Sequence, residues 1–144
     1  MKRYRFFLVM IFAASAAMAS APNNCAFFSV MINNNTENTC QLIEKQVIQG
    51  TMSSSTQVPV LIPSGTSSYP FEMKQVFYGP DIILTYECGQ GRVITFESHQ
   101  GLCVMDSGSI TGSILSSSNL KARCVRDRGS YLWNQHGAIN WTLY

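Results

Sequence analysis

Apolar and polar positions alternate with a period of two along most of the chain beyond residue 25. In AFFSVMIN, Phe28, Val30 and Ile32 fall in step. In DIILTYEC, Ile82, Leu84 and Tyr86 share one face, and Asp81, Ile83, Thr85 and Glu87 share the other. The same phase picks out Val58, Val60 and Ile62 in VPVLIP, and Phe71, Met73 and Phe77 in YPFEMKQVFY. Further along it picks out Ile110 and Ile114, then Leu120, Ala122 and Cys124, and finally Ile139, Trp141 and Leu143. Clusters of Gly, Ser, Asn and Pro separate these runs, and no helical period is sustained. Pro59 and Pro63 cannot donate to a ladder, so their segment is expected at a sheet edge. About nine short strands predict an all-β domain, a single antiparallel β-sandwich with the Ig-like arrangement as one form, or else a closed barrel.

One hairpin can be registered from sequence. A three-residue loop at Gly89-Gln90-Gly91 sets Tyr86 opposite Ile94, Leu84 opposite Phe96 and Thr85 opposite Thr95. That register gives one apolar and one mostly polar face. A two-residue loop would set Ile82 opposite Glu97, and a slip of one residue turns every side chain over. The three-residue loop is therefore expected, with a glycine in the left-handed position and Cys88 pointing inward. The run NNNTEN at 33–38 reads as the loop of a first hairpin, because Asn and Thr side chains bond nearby backbone and Asn tolerates left-handed angles. Asn34-Asn35-Thr36 and Asn140-Trp141-Thr142 also have the form of glycan acceptors.

The first nineteen residues interrupt the pattern. Lys2, Arg3 and Arg5 precede an apolar stretch, Phe6 to Ala17, and Ala17-Met18-Ala19 supplies small residues for cleavage. This is the form of a secretory signal peptide, with cleavage expected after Ala19. The stretch is shorter than the ~20 residues of a membrane span, and no second apolar run approaches that length. A single domain over 20–144, secreted or periplasmic, is expected. Removing the leader leaves seven basic against eight acidic residues, so no basic character remains to suggest nucleic acid.

Export makes disulfides expected for Cys25, Cys40, Cys88, Cys103 and Cys124; five leaves one thiol over, and spacing does not choose the pairing. There is no C-x-x-C and no close Cys/His cluster, so neither a metal nor another cofactor is expected. The only histidines, His99 and His136, fall in or beside loops, and Asp81, Asp106 and Asp127 are dispersed among turns. No nucleophile motif accompanies them, and the reading leans away from an enzyme. Four of the seven mature cations, Lys121, Arg123, Arg126 and Arg128, lie in LKARCVRDR. They form a candidate surface for an anionic membrane or acidic partner, set against the plainer reading of a charged strand edge. Among the aromatics near the end, Trp141 is in phase with the core, while Trp133 lies in the loop before the last strand and is the candidate surface contact.

The segments Ile32-Asn33-Asn34-Asn35-Thr36 and Ile62-Pro63-Ser64-Gly65 resemble the small secreted β-sandwich proteins of the aegerolysin-like type. The resemblance covers about a quarter of the mature chain, and the five cysteines depart from it. It implies a β-sandwich that binds membrane lipid. The terminal Tyr144 is similar to the last residue of bacterial outer-membrane barrels, but Ile139, Trp141 and Leu143 lie in the opposite phase. The expected function is a non-enzymatic binding module for a membrane surface or another protein. The alternatives are a small hydrolase using Asp and His, and a protein inhibitor presenting the loop 51–57.

Overall fold

The computed structural model describes residues 24–104, 108–130 and 132–144. The expected leader and cleavage site, Asp106 and Tyr131 lie outside the described residues. A short 3-10 turn (Asn24–Ala26) precedes eleven strands: β1 (Phe27–Asn34), β2 (Cys40–Gln49), β3 (Thr51–Met52), β4 (Leu61–Ile62), β5 (Thr66–Ser67), β6 (Phe71–Lys74), β7 (Asp81–Glu87), β8 (Val93–Gln100), β9 (Ile110–Ser118), β10 (Ala122–Asp127) and β11 (Gly137–Leu143). They form two sheets. The front sheet has the order β10-β11-β1-β6-β3, with β5 also on β1, and the back sheet has the order β4-β2-β7-β8-β9. The expected sandwich is present, with the two extra strands being two-residue pieces at sheet margins.

One pairing departs from the antiparallel expectation. β1 and β11, the first and last strands, run parallel at the centre of the front sheet, from Phe28 opposite Gly137 to Asn34 opposite Leu143. Parallel neighbours need a long crossover. Here the whole back sheet supplies it.

The period-two pattern becomes the core because each sheet buries one face. Phe28, Val30, Ile32, Phe71, Ile139 and Leu143 from the front sheet meet Ile82, Leu84, Ile94 and Phe96 from the back, all buried. Trp141 lies among them as expected, 4.6 Å from Phe96 between ring centroids. Its indole Nε1 donates to Ser98 Oγ at 2.8 Å, and the Tyr86 hydroxyl donates to the Pro59 carbonyl at 2.6 Å. Both large rings thus bury their bodies without orphaning their polar atoms.

Three residues that keep the phase lie outside the core. Phe77 is exposed because β6 ends at Lys74 and the chain is already a loop. Val60 is exposed because it precedes β4, whose Leu61 and Ile62 pair with the start of β2. Ile114 is half exposed on β9, the edge strand of the back sheet, where the register shifts so that Leu115 has no partner on β8.

The β7–β8 hairpin has the expected register, with Tyr86 opposite Ile94, Leu84 opposite Phe96 and Thr85 opposite Thr95. Its loop goes further than expected. Gly89, Gln90 and Gly91 all have positive φ, and Arg92 N–H closes a tight turn on the Gly89 carbonyl at 3.1 Å. Two disulfides form. Cys40–Cys88 joins neighbouring strands of the back sheet on the core side, and Cys25–Cys103 ties the segment before β1 to the β8–β9 loop. Cys124 is the thiol left over.

The NNNTEN run is a loop but not a hairpin loop. β1 and β2 belong to different sheets, so residues 35–39 cross from one to the other. The turn is built on Asn34, which is fully buried. Its Nδ2 donates to the carbonyls of Asn38 (2.7 Å) and Ile62 (2.8 Å), and its Oδ1 accepts from Thr36 N–H (2.9 Å). With its amide nitrogen spent inside the fold, Asn34 has no atom to offer a glycan.

Candidate functional site

Strand register fixes which loops leave from the same end of the sandwich. Thr51 pairs with Lys74, Gln49 with Asp81, Asp81 with His99, Gln100 with Ile110, and Asp127 with Ala138. The turn at Gly50, the loop 75–80, and the described parts of the β8–β9 loop (101–104 and 108–109) and of the β10–β11 loop (128–130 and 132–136) therefore share one end, here called the tip. The three loops contribute exposed apolar side chains. Loop 75–80 gives Val76, Phe77 and Tyr78, the β8–β9 loop gives Leu102 and Val104, and the β10–β11 loop gives Leu132 and Trp133. Ile48 joins them from the end of β2. Phe77 is 85% exposed, Leu132 87% and Trp133 79%. Single exposed apolar residues are ordinary; many gathered on one end are not. Between the Gly50 turn and loop 75–80 lies a crevice of about 350 Å³, walled by Ile48, Val76, Phe77 and Tyr78.

The tip loops are tied together. The Gln75 side chain bonds the backbone of Cys103 twice, donating to its carbonyl at 3.1 Å and accepting from its N–H at 2.7 Å. Gln75 N–H donates to the Ala26 carbonyl at 2.8 Å, and Cys25 is bonded to Cys103. Gly79 has no space for a side chain, since a Cβ there would collide with the Gln100 carbonyl. Loop 75–80 thus passes backbone-to-backbone over the end of β8, which holds the aromatic residues before it outward.

Trp133, the expected aromatic contact, sits in this group. Phe77, Tyr78 and Val76 were not expected. Their sequence signal is VFYGP: three consecutive apolar residues break the alternation just before a Gly-Pro stop.

The cationic cluster is divided. β10 spans roughly 20 Å, with Lys121 just before its far end and Arg128 just beyond its tip end. Lys121 is fixed away from the tip by two backbone bonds to Tyr144, at 2.8 and 2.9 Å. Arg123 pairs with Thr142 on the front face, while Arg126 is in the opposite phase. Arg126 and Arg128 are thus the members beside the tip, with Lys74 exposed on its other side. Lys74 Nζ stands 5.8 Å from the Phe27 ring, and Phe27 meets His136 edge-on at 6.1 Å.

Neither histidine is hydrogen-bonded to the carboxylate beside it. His99 is 3.7 Å from Asp81 and His136 is 3.8 Å from Glu72, ion-pair separations longer than a hydrogen bond. Desolvation, with Glu97 nearby, raises the Asp81 carboxyl above its ordinary value, and His99 opposes the shift. Neither histidine lines the tip crevice, the front-sheet depression by Pro70 and Val125, or the depression by Lys45 and Val58. Cys124 faces Trp141 across the β10–β11 ladder and lies against Gly112. The segment 51–57 is pinned to β6: Ser53 N–H donates to the Glu72 carbonyl and Glu72 N–H to Thr56 Oγ1, both at 2.8 Å. Among the described residues no group of three or more His, Cys, Asp or Glu could hold a metal ion, and no helix is long and apolar enough to cross a membrane.

No known family profile and no curated protein sequence matches the chain. Solved structures do. The lipid-binding protein Nakanori is similar with a TM-score of 0.58 and 11% identity, over 82% of this chain and 70% of its own. The RahU protein, crystallised with a TRIS molecule, gives 0.62 and 10%, over 83% and 95%. IP-1A from Alcaligenes faecalis gives 0.54 and 14%, over 84% and 91%. At these identities the likeness is one of fold: this chain has the small two-sheet sandwich that those proteins have.

Proposed function

We propose that the protein is an exported, non-enzymatic binding module whose ligand is a membrane lipid surface, met by the tip that carries Phe77 and Trp133. The gathering of exposed apolar side chains from three separate loops and the end of β2 onto one rigid end carries this reading. The two disulfides fit an oxidising compartment, as does the leader. Nakanori, of the same fold, is a lipid-binding protein, and the 32–36 and 62–65 segments resemble the aegerolysin-like type.

The magnitudes are adequate. Each ring taken out of water contributes about 2 kcal/mol, so three give about 6 kcal/mol. That alone corresponds to binding between millimolar and micromolar. Arg126, Arg128 and Lys74 would each add about 1 kcal/mol near an anionic surface. Binding strengthened by anionic lipid and partly resistant to salt is therefore expected.

Flotation with neutral, anionic and sterol-containing vesicles tests it. The exported protein should float, and the Phe77→Asp/Trp133→Asp variant should stay at the bottom. Tyr69→Asp, at an exposed position away from the tip, should float like the parent. Failure of the parent to float with every vesicle, or unchanged flotation of the double variant, overturns the reading.

A further inference from the structure

The front sheet has its own concavity, on its flank rather than at the tip. A depression of about 310 Å³ opens on its outer face between β10 and Pro70. Two rows of side chains line it. Asp127, Ala138 and Ser29 lie side by side across β10, β11 and β1, and Val125, Asn140 and Met31 form the next row. Met31, Ala138, Val125 and Pro70 make an apolar floor and walls.

Three polar groups converge on that floor with unspent capacity. The Asp127 carboxylate makes no ion pair among the described residues, although Arg126 and Arg128 are its chain neighbours. Asn140 is oriented by its neighbour: its Oδ1 accepts from Asn33 Nδ2 at 2.6 Å, which leaves its own amide nitrogen as a free double donor. The Ser29 hydroxyl can donate or accept. Strand spacing of ~4.8 Å and a two-residue step of ~7 Å set these groups within about 10 Å of one another.

We infer that this depression is a binding site for a polyhydroxylated ligand of monosaccharide size. A pyranose presents C–H groups on its faces and hydroxyls at its rim, each both donor and acceptor. It could lay a face on Met31 and Ala138 while two hydroxyls donate to Asp127 and a third accepts from Asn140. The competing ligand classes fit worse. An anion meets Asp127. An acyl chain would bury Asp127 and Asn140 without partners, which is costly. An ammonium would use Asp127 but meet the donor face of Asn140.

The test is a titration followed by ¹H–¹⁵N spectra. Methyl glycosides of glucose, galactose, mannose and N-acetylglucosamine are added separately, to a level suited to a roughly millimolar site. At least one should shift the backbone amides of Ser29, Met31, Ala138 and Asn140 while leaving the Trp133 indole unmoved. Asp127→Asn should weaken that response at least tenfold, and Asn140→Ala should also weaken it; the exposed Asp127 makes a folded variant expected, and its dispersed spectrum verifies it. A second arm compares vesicles bearing the responding sugar on a lipid with plain vesicles, using the Phe77→Asp/Trp133→Asp variant. Selective flotation assigns the sugar to a glycolipid, and its absence beside a positive titration assigns it to free or protein-linked glycan. Silence from all four glycosides, shifts indifferent to Asp127→Asn, or equal shifts with tetramethylammonium would overturn the inference.

Discussion

Asn34 donates its buried side-chain amide to the carbonyl of Ile62, 2.8 Å away, and so joins the end of β1 to β4 in the opposite sheet. Two more bonds run between the same segments. Gly65 N–H donates to the Asn34 carbonyl at 2.8 Å, and Ser64 Oγ donates to the Thr36 carbonyl at 2.6 Å. The segments 32–36 and 62–65, separate in sequence, are therefore two sides of one structural joint. Asparagine is required because the site needs two donors and an acceptor on a short, uncharged side chain. Asn34→Ala should remove the side-chain partners of the buried Ile62 carbonyl and Thr36 N–H, while the Asn38 carbonyl keeps Thr36 Oγ1, and cost about 3 kcal/mol, with a fall in Tm of roughly 10 °C. Asn34→Asp should be at least as damaging, because a carboxylate there must face both carbonyls. Thermal unfolding followed by circular dichroism checks both.

A second prediction concerns alkaline pH. Burial holds the Tyr86 phenol well above its ordinary value of 10.0, and its proton is engaged by the Pro59 carbonyl. The native state thus keeps this proton more tightly than the unfolded chain. Its contribution to stability is complete below about pH 10 and is lost as pH rises toward the folded value. Stability should therefore fall above pH 10. Tyr86→Phe should cost about 1 kcal/mol at neutral pH and reduce that alkaline slope. Urea unfolding measured from pH 7 to 11 in both proteins gives the comparison.

The cysteines give a third. Cys40–Cys88 and Cys25–Cys103 close 48 and 78 residues of separation, and loop closure of that length constrains the unfolded chain by about 4 kcal/mol each. Cys124 is outside both. A thiol titration of the unfolded, unreduced protein should find one thiol per chain. Cys124→Ala should leave both bridges and most of the stability intact, whereas the paired Cys40→Ser/Cys88→Ser variant should lose several kcal/mol. Its loss should exceed the effect of replacing Cys124 by a wide margin.

How much was readable beforehand follows from which interactions are local. The β7–β8 register could be read because a short loop and two alternating runs permit few solutions, and only one puts Tyr86 beside Ile94. Trp141 and Trp133 were separable because Trp141 alternates in step with Ile139 and Leu143, whereas Trp133 precedes that strand in a loop. The β1–β11 pairing was not readable, since nothing local tells two alternating strands that they will run parallel after the rest of the chain has folded. The tip was half readable. Trp133 stood out as a loop aromatic, but Phe77 kept the core phase of Phe71 and Met73, and only the end of β6 at Lys74 shows that this phase no longer means burial. Nor could the Cys25–Cys103 link, which helps hold the tip loops together, be chosen among the pairings five cysteines allow.

The last prediction separates the basic residues by position. In sequence Lys121, Arg123, Arg126 and Arg128 form one cluster, and a single surface could use all four. In the fold Lys121 is anchored against Tyr144 at the far end, whereas Arg128 opens the loop that carries Trp133. Exposed charges more than about 8 Å from a surface are largely screened at physiological salt. If the tip is what meets the membrane, Arg126→Glu/Arg128→Glu should weaken flotation with anionic vesicles strongly, since each reversal replaces an attraction of about 1 kcal/mol by a repulsion of similar size. Lys121→Glu/Arg123→Glu makes the same change in net charge from the far half of the strand and should weaken it much less. High salt should bring both variants toward the parent, leaving only the apolar component carried by Phe77 and Trp133. Equal losses in the two variants would instead mean that the β10 edge lies flat on the membrane along its length, and the tip orientation would be wrong.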